Sequence, residues 1–125
     1  MHRMFRIAAL TFAIFATATA SALAQDANWP NKPVRFIVPF PPGGSVDPLA
    51  RLMGARLNAA LGQQFIVDNR PGGSGSIGTA LTAKSPPDGY TYVVVFDTHA
   101  VNPSLIPNIP YDTLKDLSPV KGILE

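Results

Sequence analysis

The chain has 125 residues, with ten lysines and arginines against eight aspartates and glutamates, no cysteine and 46% hydrophobic residues. Low charge together with high hydrophobic content excludes a disordered chain, and the lack of a lysine- or arginine-rich run argues against a nucleic-acid-binding protein. The absence of cysteine excludes disulfide bonds, so burial of apolar side chains must hold the fold together.

The first residues have the pattern of a secretory signal peptide. Arg3 and Arg6 give a positive start, residues 7–19 are apolar and small, and Ala22-Leu23-Ala24 matches the usual cleavage pattern. We therefore predict a signal peptide over residues 1–24, cut after Ala24, with an uncleaved anchor as the alternative. The remaining residues 25–125 carry eight basic and eight acidic residues and suffice for one small, periplasmic domain.

A strand, a tight loop and a helix are predicted between residues 34 and 61. The apolar run VRFIV at residues 34–38 is typical of a buried parallel strand, and the prolines at positions 39, 41 and 42 end it. Apolar residues then recur at helical spacing from Leu49 to Leu61. Gly62 is expected to end this helix.

The loop between this strand and helix is a candidate anion site. Gly43 and Gly44 allow a sharp turn, and Ser45 or Asp47 is expected to cap the helix. The free N–H groups of Gly44, Ser45 and Val46 would then cluster at a helix N-terminus, which attracts anions. A plain turn explains the same residues, so both interpretations stay open.

The following segments alternate between strand and helix. The predicted elements are a strand over residues 64–68, a loop over 69–75, a weak helix over 76–84, a turn over 85–89 and a strand over 90–96. The last strand is the most apolar, which indicates burial on both faces. The βαβαβ order predicts a parallel sheet with helices on both sides and a ligand crevice at the carboxyl ends of its strands.

Prolines punctuate the chain from residue 102 onward, so short turns such as residues 112–117 are the most that we expect there. Residues 120–124 resemble the start of another strand. Three strands with an unfinished fourth would leave apolar surface uncovered, and we therefore expect the chain to be a fragment.

Two features of the sequence are compatible with an enzyme. Residues 73–78 spell G-x-G-x-x-G and Asp97 follows, as in a dinucleotide-binding fold, but an intervening loop separates the motif from its strand. Ser45, Ser74 and Ser76 with His99 offer nucleophiles, yet no G-x-S-x-G elbow and no metal-ligand spacing occurs. We expect no enzyme activity, no catalytic residue, no cofactor and no metal; an exported enzyme or nucleotide-binding domain using residues 73–78 is the alternative.

Five sequence blocks in order resemble the Bug family, the periplasmic solute-binding proteins of tripartite tricarboxylate transporters. They are WPNKPVRFIVPFPPGGSVDPLAR from Trp29, VDNRPGGSGSIGT from Val67, DGYT from Asp88, THAVNPSL from Thr98 and PYDTLKDLSPV from Pro110. The resemblance implies an α/β fold, namely a truncated parallel-sheet lobe of a Venus-flytrap-like periplasmic binding protein. Residues 25–125 would be the N-terminal part of its first lobe.

The resemblance also implies a function and a site. The expected ligand is a small organic acid or an amino-acid-like solute, and the expected partner is the membrane permease of a tripartite tricarboxylate-type transporter. The implied ligand-binding residues lie in the loops after the first and third strands: Phe40, Gly43, Gly44, Ser45, Val46, Asp47, Asp97, Thr98 and His99. Asp97 departs from the family pattern, and its carboxylate would favour an amino or hydroxyl group on the solute over a second carboxylate.

Overall fold

The computed structural model describes residues 29–120, which form a three-stranded parallel sheet with helices around it. The strands are β1 (Val34–Val38), β2 (Phe65–Asn69) and β3 (Thr91–Val93), and the helices are α1 (Val46–Leu61), α2 (Ser76–Ala83) and α3 (Thr98–Leu105). The predicted signal peptide, its cleavage site and most of the predicted strand at residues 120–124 lie outside these residues. Within residues 29–120, no helix has the length and apolar character needed to cross a membrane.

β1 is the central strand, in the order β2-β1-β3. Its Val34, Phe36 and Val38 side chains are buried in one apolar cluster with α1, while Pro39, just after the strand, lies against Gly78 of α2. The first crossover runs from β1 to β2, and the second runs back across the sheet from β2 past β1 to β3. Right-handed crossovers that run in opposite directions place their helices on opposite faces of the sheet. The predicted parallel sheet with helices on both sides is thus confirmed.

The boundaries of the early elements follow the sequence closely. α1 ends at Leu61, and the expected Gly62 caps it: its positive φ of 70° suits glycine, and its N–H donates to the Asn58 carbonyl at 2.9 Å. β2 and α2 lie within one residue of their predicted limits. Gly54 lets α1 approach β2, since a Cβ atom there would lie 3.2 Å from the Phe65 carbonyl oxygen.

The prediction for β3 is wrong in length and burial. β3 covers only Thr91–Val93, and its residues are half-buried. Among the described residues it pairs with β1 alone, so it is an edge strand. The N–H of Val94 still donates to the Ile37 carbonyl at 2.9 Å, but β1 ends one residue later at Val38 and offers no further ladder.

The prediction of an irregular chain from residue 102 is also wrong, because α3 continues to Leu105 with Pro103 inside it. Proline removes one donor near the end of a helix, and this helix stops two residues later. The buried side chain of Asn102 donates to the Ser74 carbonyl at 2.9 Å and so ties α3 to the segment before α2. The predicted turn near residues 112–117 is confirmed, since Asp112 accepts the N–H groups of Leu114 and Lys115.

The segment before β1 is tied to the turn before β3. The Trp29 indole N–H donates to the Gly89 carbonyl at 3.0 Å, and Lys32 lies 3.2 Å from the Asp88 carboxylate and 4.3 Å from the centre of the Tyr90 ring. These contacts fix the segment that leads into β1, at the end of the strand opposite the candidate site.

Candidate functional site

The loop between β1 and α1 lies at the carboxyl end of the central strand. Gly43 has a φ of 81°, a conformation that side chains with a Cβ atom rarely adopt. The N–H of Gly44 donates to the Pro41 carbonyl at 3.3 Å, which closes a tight turn. α1 begins directly afterwards at Val46, with Ser45 in the N-cap position. The helix N-terminus therefore opens at the edge where parallel α/β sheets bind ligands.

A buried carboxylate holds this loop. Asp47 is 5% exposed and accepts hydrogen bonds from the Gly43 N–H at 3.1 Å, the Asn69 side-chain amide at 3.0 Å and Arg51 Nε at 3.1 Å. The Ser45 side chain makes no capping hydrogen bond. Ser45 and Asp47 were the two candidate capping residues, and only Asp47 is bonded to the loop. Asp47 lies in the first turn of α1, and its carboxylate accepts the N–H of Gly43, four residues earlier in the chain.

The donors around Asp47 keep it ionised. The hydrogen bond from Arg51, followed by those from Asn69 and Gly43, lowers the pKa of Asp47 from 3.8 to about 2. Its negative charge is also offset by Arg51, one helical turn away, with Nη2 3.0 Å from Oδ1. The carboxylate is therefore occupied by the protein's own donors.

Asn69 was not identified from the sequence, although it joins three parts of the site. It is the last residue of β2 and pairs in register with Val38. Its side-chain amide donates to Asp47 and to the Phe40 carbonyl at 3.2 Å, and its Oδ1 accepts from Arg51 Nη2 at 3.1 Å. The signal that could have found it is topological: a polar residue ending a strand beside β1 must lie at the same sheet edge as the loop.

Among the residues that the structure describes, two of the three predicted backbone donors have no partner at the start of α1. The Gly43 and Gly44 amides are bonded within the loop, which removes Gly44 from the predicted free donors. The amides of Ser45 and Val46 make no hydrogen bond within residues 29–120. Unpaired N–H groups and the positive end of the helix dipole together favour a negatively charged group.

The second predicted loop lies next to the first. Phe96, which follows β3, stacks on Phe40 with ring centroids 4.6 Å apart. Asp97 occupies the N-cap position of α3 without a side-chain capping bond, and Thr98 starts that helix. The structure thus brings together the loops that carry all the predicted site residues.

The side chain of His99 is half-buried. Its ring stacks on Tyr111 with centroids 6.3 Å apart and planes 11° apart. Burial lowers the pKa of His99 below its usual 6.5, so the ring is neutral at pH 7. His99 Nδ1 and the Tyr111 hydroxyl have no hydrogen-bond partner among residues 29–120.

The glycine-rich segment at residues 73–78 is shaped by packing. Gly73–Gly75 forms a short 3-10 helix, and a Cβ atom at Gly75 would lie 3.2 Å from the Phe40 ring. A Cβ atom at Gly78 would lie 2.7 Å from Pro39 Cβ. These glycines let α2 approach the end of β1, which accounts for the motif without a nucleotide. In the described part of the chain, no group of three acidic or histidine side chains is placed to hold a metal.

Comparisons with known proteins agree with this architecture. The model of the tripartite tricarboxylate transporter family receptor, TctC, matches residues 49–125. The protein BugT of Bordetella pertussis is 45% identical over 96% of this chain and 37% of its own length.

Two solved structures share the fold. The periplasmic binding protein BugD has 34% identity and a TM-score of 0.67, and MatC from Rhodopseudomonas palustris with bound malate has 35% identity and a TM-score of 0.66. Each alignment covers 70% of this chain; it covers 29% of BugD and 30% of MatC. This chain therefore spans about a third of the length of the relatives it matches. Since the family model matches more than half of its residues, the chain belongs to the tripartite tricarboxylate transporter receptor family, TctC.

Proposed function

We propose that the protein is an extracytoplasmic solute-binding protein that captures a small carboxylate-bearing solute for a tripartite tricarboxylate-type transporter. The observation that carries this proposal is the pair of free amides, Ser45 and Val46, at the N-terminus of α1. MatC, a relative with the same fold, is seen with bound malate, which is a carboxylate.

The geometry supports a carboxylate on physical grounds. A carboxylate over these two amides would accept charge-assisted hydrogen bonds and feel the helix dipole, each worth on the order of 1 kcal/mol. Asp47 is the nearest acid in sequence, and its charge is offset by Arg51 and bonded to Asn69. The loop therefore remains receptive to an anion even though it contains an aspartate.

The remaining site residues belong to the same proposal. Phe40, Gly43, Gly44 and Asp47 would shape the first loop, and Asp97, Thr98 and His99 would border the solute from the second loop. A periplasmic location follows from the predicted signal peptide and is supported by BugD, a periplasmic binding protein. The partner would be the transporter's membrane permease.

The alternative function is an exported enzyme or nucleotide-binding domain that uses residues 73–78. The findings do not favour it, because the matching family consists of receptors and because the glycines of that segment pack against Phe40 and Pro39.

A pair of substitutions at one position tests the proposal. Ser45 has a φ of −62°, which proline also adopts, and the preceding Gly44 tolerates a following proline. Ser45→Pro deletes one of the two free N–H groups, whereas Ser45→Ala removes only the hydroxyl. We expect Ser45→Pro to weaken carboxylate binding by about tenfold, the effect of losing one charge-assisted hydrogen bond.

The measurement is a thermal-shift and calorimetry panel on the full-length protein with organic acids and NAD. A ligand at 100 times its Kd stabilises the folded state by about 2.7 kcal/mol, which such a panel detects. Carboxylates should stabilise wild type and Ser45→Ala, and less so Ser45→Pro. Stabilisation by NAD and by none of the acids would overturn the proposal in favour of the nucleotide alternative.

A further inference from the structure

A stacked aromatic pair joins the loops that follow β1 and β3, and Phe40 of this pair packs against the apolar cluster that contains Val46. Phe40 and Phe96 have ring centroids 4.6 Å apart and planes 20° apart. Phe40 is half-buried and fixed from behind, where Gly75 leaves room for its ring. Phe96 is 42% exposed. One ring is thus held by the protein, and the other leaves part of its surface open at the carboxyl edge of the sheet.

The charges near this edge favour only one carboxylate on the solute. Arg51, on α1, is paired with Asp47, and Arg70, just after β2, is paired with Asp68. Neither guanidinium is therefore free to neutralise a second carboxylate without breaking an ion pair. Asp97, next to Phe96, is exposed and would repel one.

An exposed aromatic ring near an anion site favours ligands whose uncharged part is flat and apolar. Flat apolar groups stack on such a ring, and a contact between two rings contributes about 0.5 to 1.5 kcal/mol beyond the area that it buries. A short dicarboxylate such as malate has no ring to offer to Phe96 and carries a second charge.

Building on the proposed function, we propose that this site takes a monocarboxylate with a flat apolar body, whose carboxylate binds the Ser45 and Val46 amides and whose ring stacks on Phe96. Phe96 is then the residue that determines specificity. Phe40 is its positioning residue, because it supports Phe96 from the other side.

Benzoate and malate are the two probes, measured by calorimetry on the full-length protein. Benzoate should bind wild type more tightly than malate does. Phe96→Leu keeps an apolar side chain but removes the ring, and it should weaken benzoate binding by up to about tenfold while leaving malate unchanged. Phe96→Tyr keeps the ring and should retain benzoate binding. Ile66→Ala is the matched control, since Ile66 on β2 is 45% exposed and lies outside the site.

The outcomes separate this inference from the function on which it rests. If malate binds more tightly than benzoate, or if Phe96→Leu leaves benzoate binding intact, the inference falls. If malate still binds wild type and Ser45→Pro weakens that binding, the proposed function is supported even though the inference is wrong. If neither acid binds wild type, the carboxylate-binding function falls as well.

Discussion

Asp47 shows what a sequence reveals about a single residue and what it does not. Its position two residues into a helix predicts either a cap or a ligand-facing acid, and the structure gives it the loop-holding role through Gly43. Arg51, four residues later, is foreseeable as a helical ion-pair partner. Asn69 is not, because it comes from another strand and meets Asp47 only once β2 pairs with β1.

The donors around Asp47 change the expected effect of its amide substitute. From sequence, Asn would replace a capping Asp with little loss. In the structure, both carboxylate oxygens accept hydrogen bonds, so the amide group of Asn would face the donors Arg51 or Asn69. We therefore predict that Asp47→Asn lowers the Tm at pH 7, as measured by thermal unfolding followed by circular dichroism.

The same variant carries a pH signature. The folded-state pKa of Asp47, about 2, lies below its usual 3.8, so its contribution to stability is complete above pH 3.8 and is lost as the pH falls toward 2. The Tm difference between wild type and Asp47→Asn should accordingly shrink over that interval. Asp97→Asn, a charge change at an exposed position, is the control and should track wild type throughout. Equal Tm values for Asp47→Asn and wild type at pH 7 would contradict the loop-holding role.

At the level of elements, the sequence predicts correctly the features that depend only on neighbouring residues. The apolar run of β1, the helical spacing of α1 and the glycine that ends it depend on neighbouring residues, and their positions were predicted correctly. The length of β3 depends on where its partner β1 stops, which no pattern within residues 90–96 records. The sequence does not predict α3, because a proline such as Pro103 is typical of a helix break, but here it lies close to the helix end.

Close packing of α2 on β1 gives a stability prediction. Gly78→Ala would place a Cβ atom 2.7 Å from Pro39 Cβ and 2.9 Å from the Arg70 carbonyl oxygen. Overpacking costs about 1 to 3 kcal/mol and outweighs the gain of up to about 1 kcal/mol from alanine in a helix, because one of the clashes is with backbone. We expect a net loss of about 1 to 2 kcal/mol in the free energy of urea unfolding.

Gly44→Ala is the matched control for that substitution. A Cβ atom there would lie 3.4 Å from the Pro41 carbonyl oxygen, which is an ordinary contact distance. Its unfolding free energy should stay close to that of wild type. A Gly78→Ala protein as stable as wild type would mean that α2 can move away from β1 at no cost.

For the whole molecule, the sequence predicts export. Arg3, Arg6, the apolar residues 7–19 and Ala22-Leu23-Ala24 should direct secretion and place Gln25 at the new N-terminus. N-terminal sequencing of periplasmic material checks this prediction. Recovery of protein that still begins at Met1 would show instead that the segment stays attached as an anchor.

The central position of β1 has a consequence for the order of folding. β1 comes first in the chain among the described strands, yet its partners are the later β2 and β3, and they take one edge each. The edge of β1 that takes β2 can close once residue 69 has been made available, but the edge that takes β3 stays open until residue 93. Such pairing between distant residues slows folding and leaves an apolar strand exposed meanwhile. A chain emerging N-terminus first would therefore carry its central apolar strand with one edge unpaired until β3 has emerged.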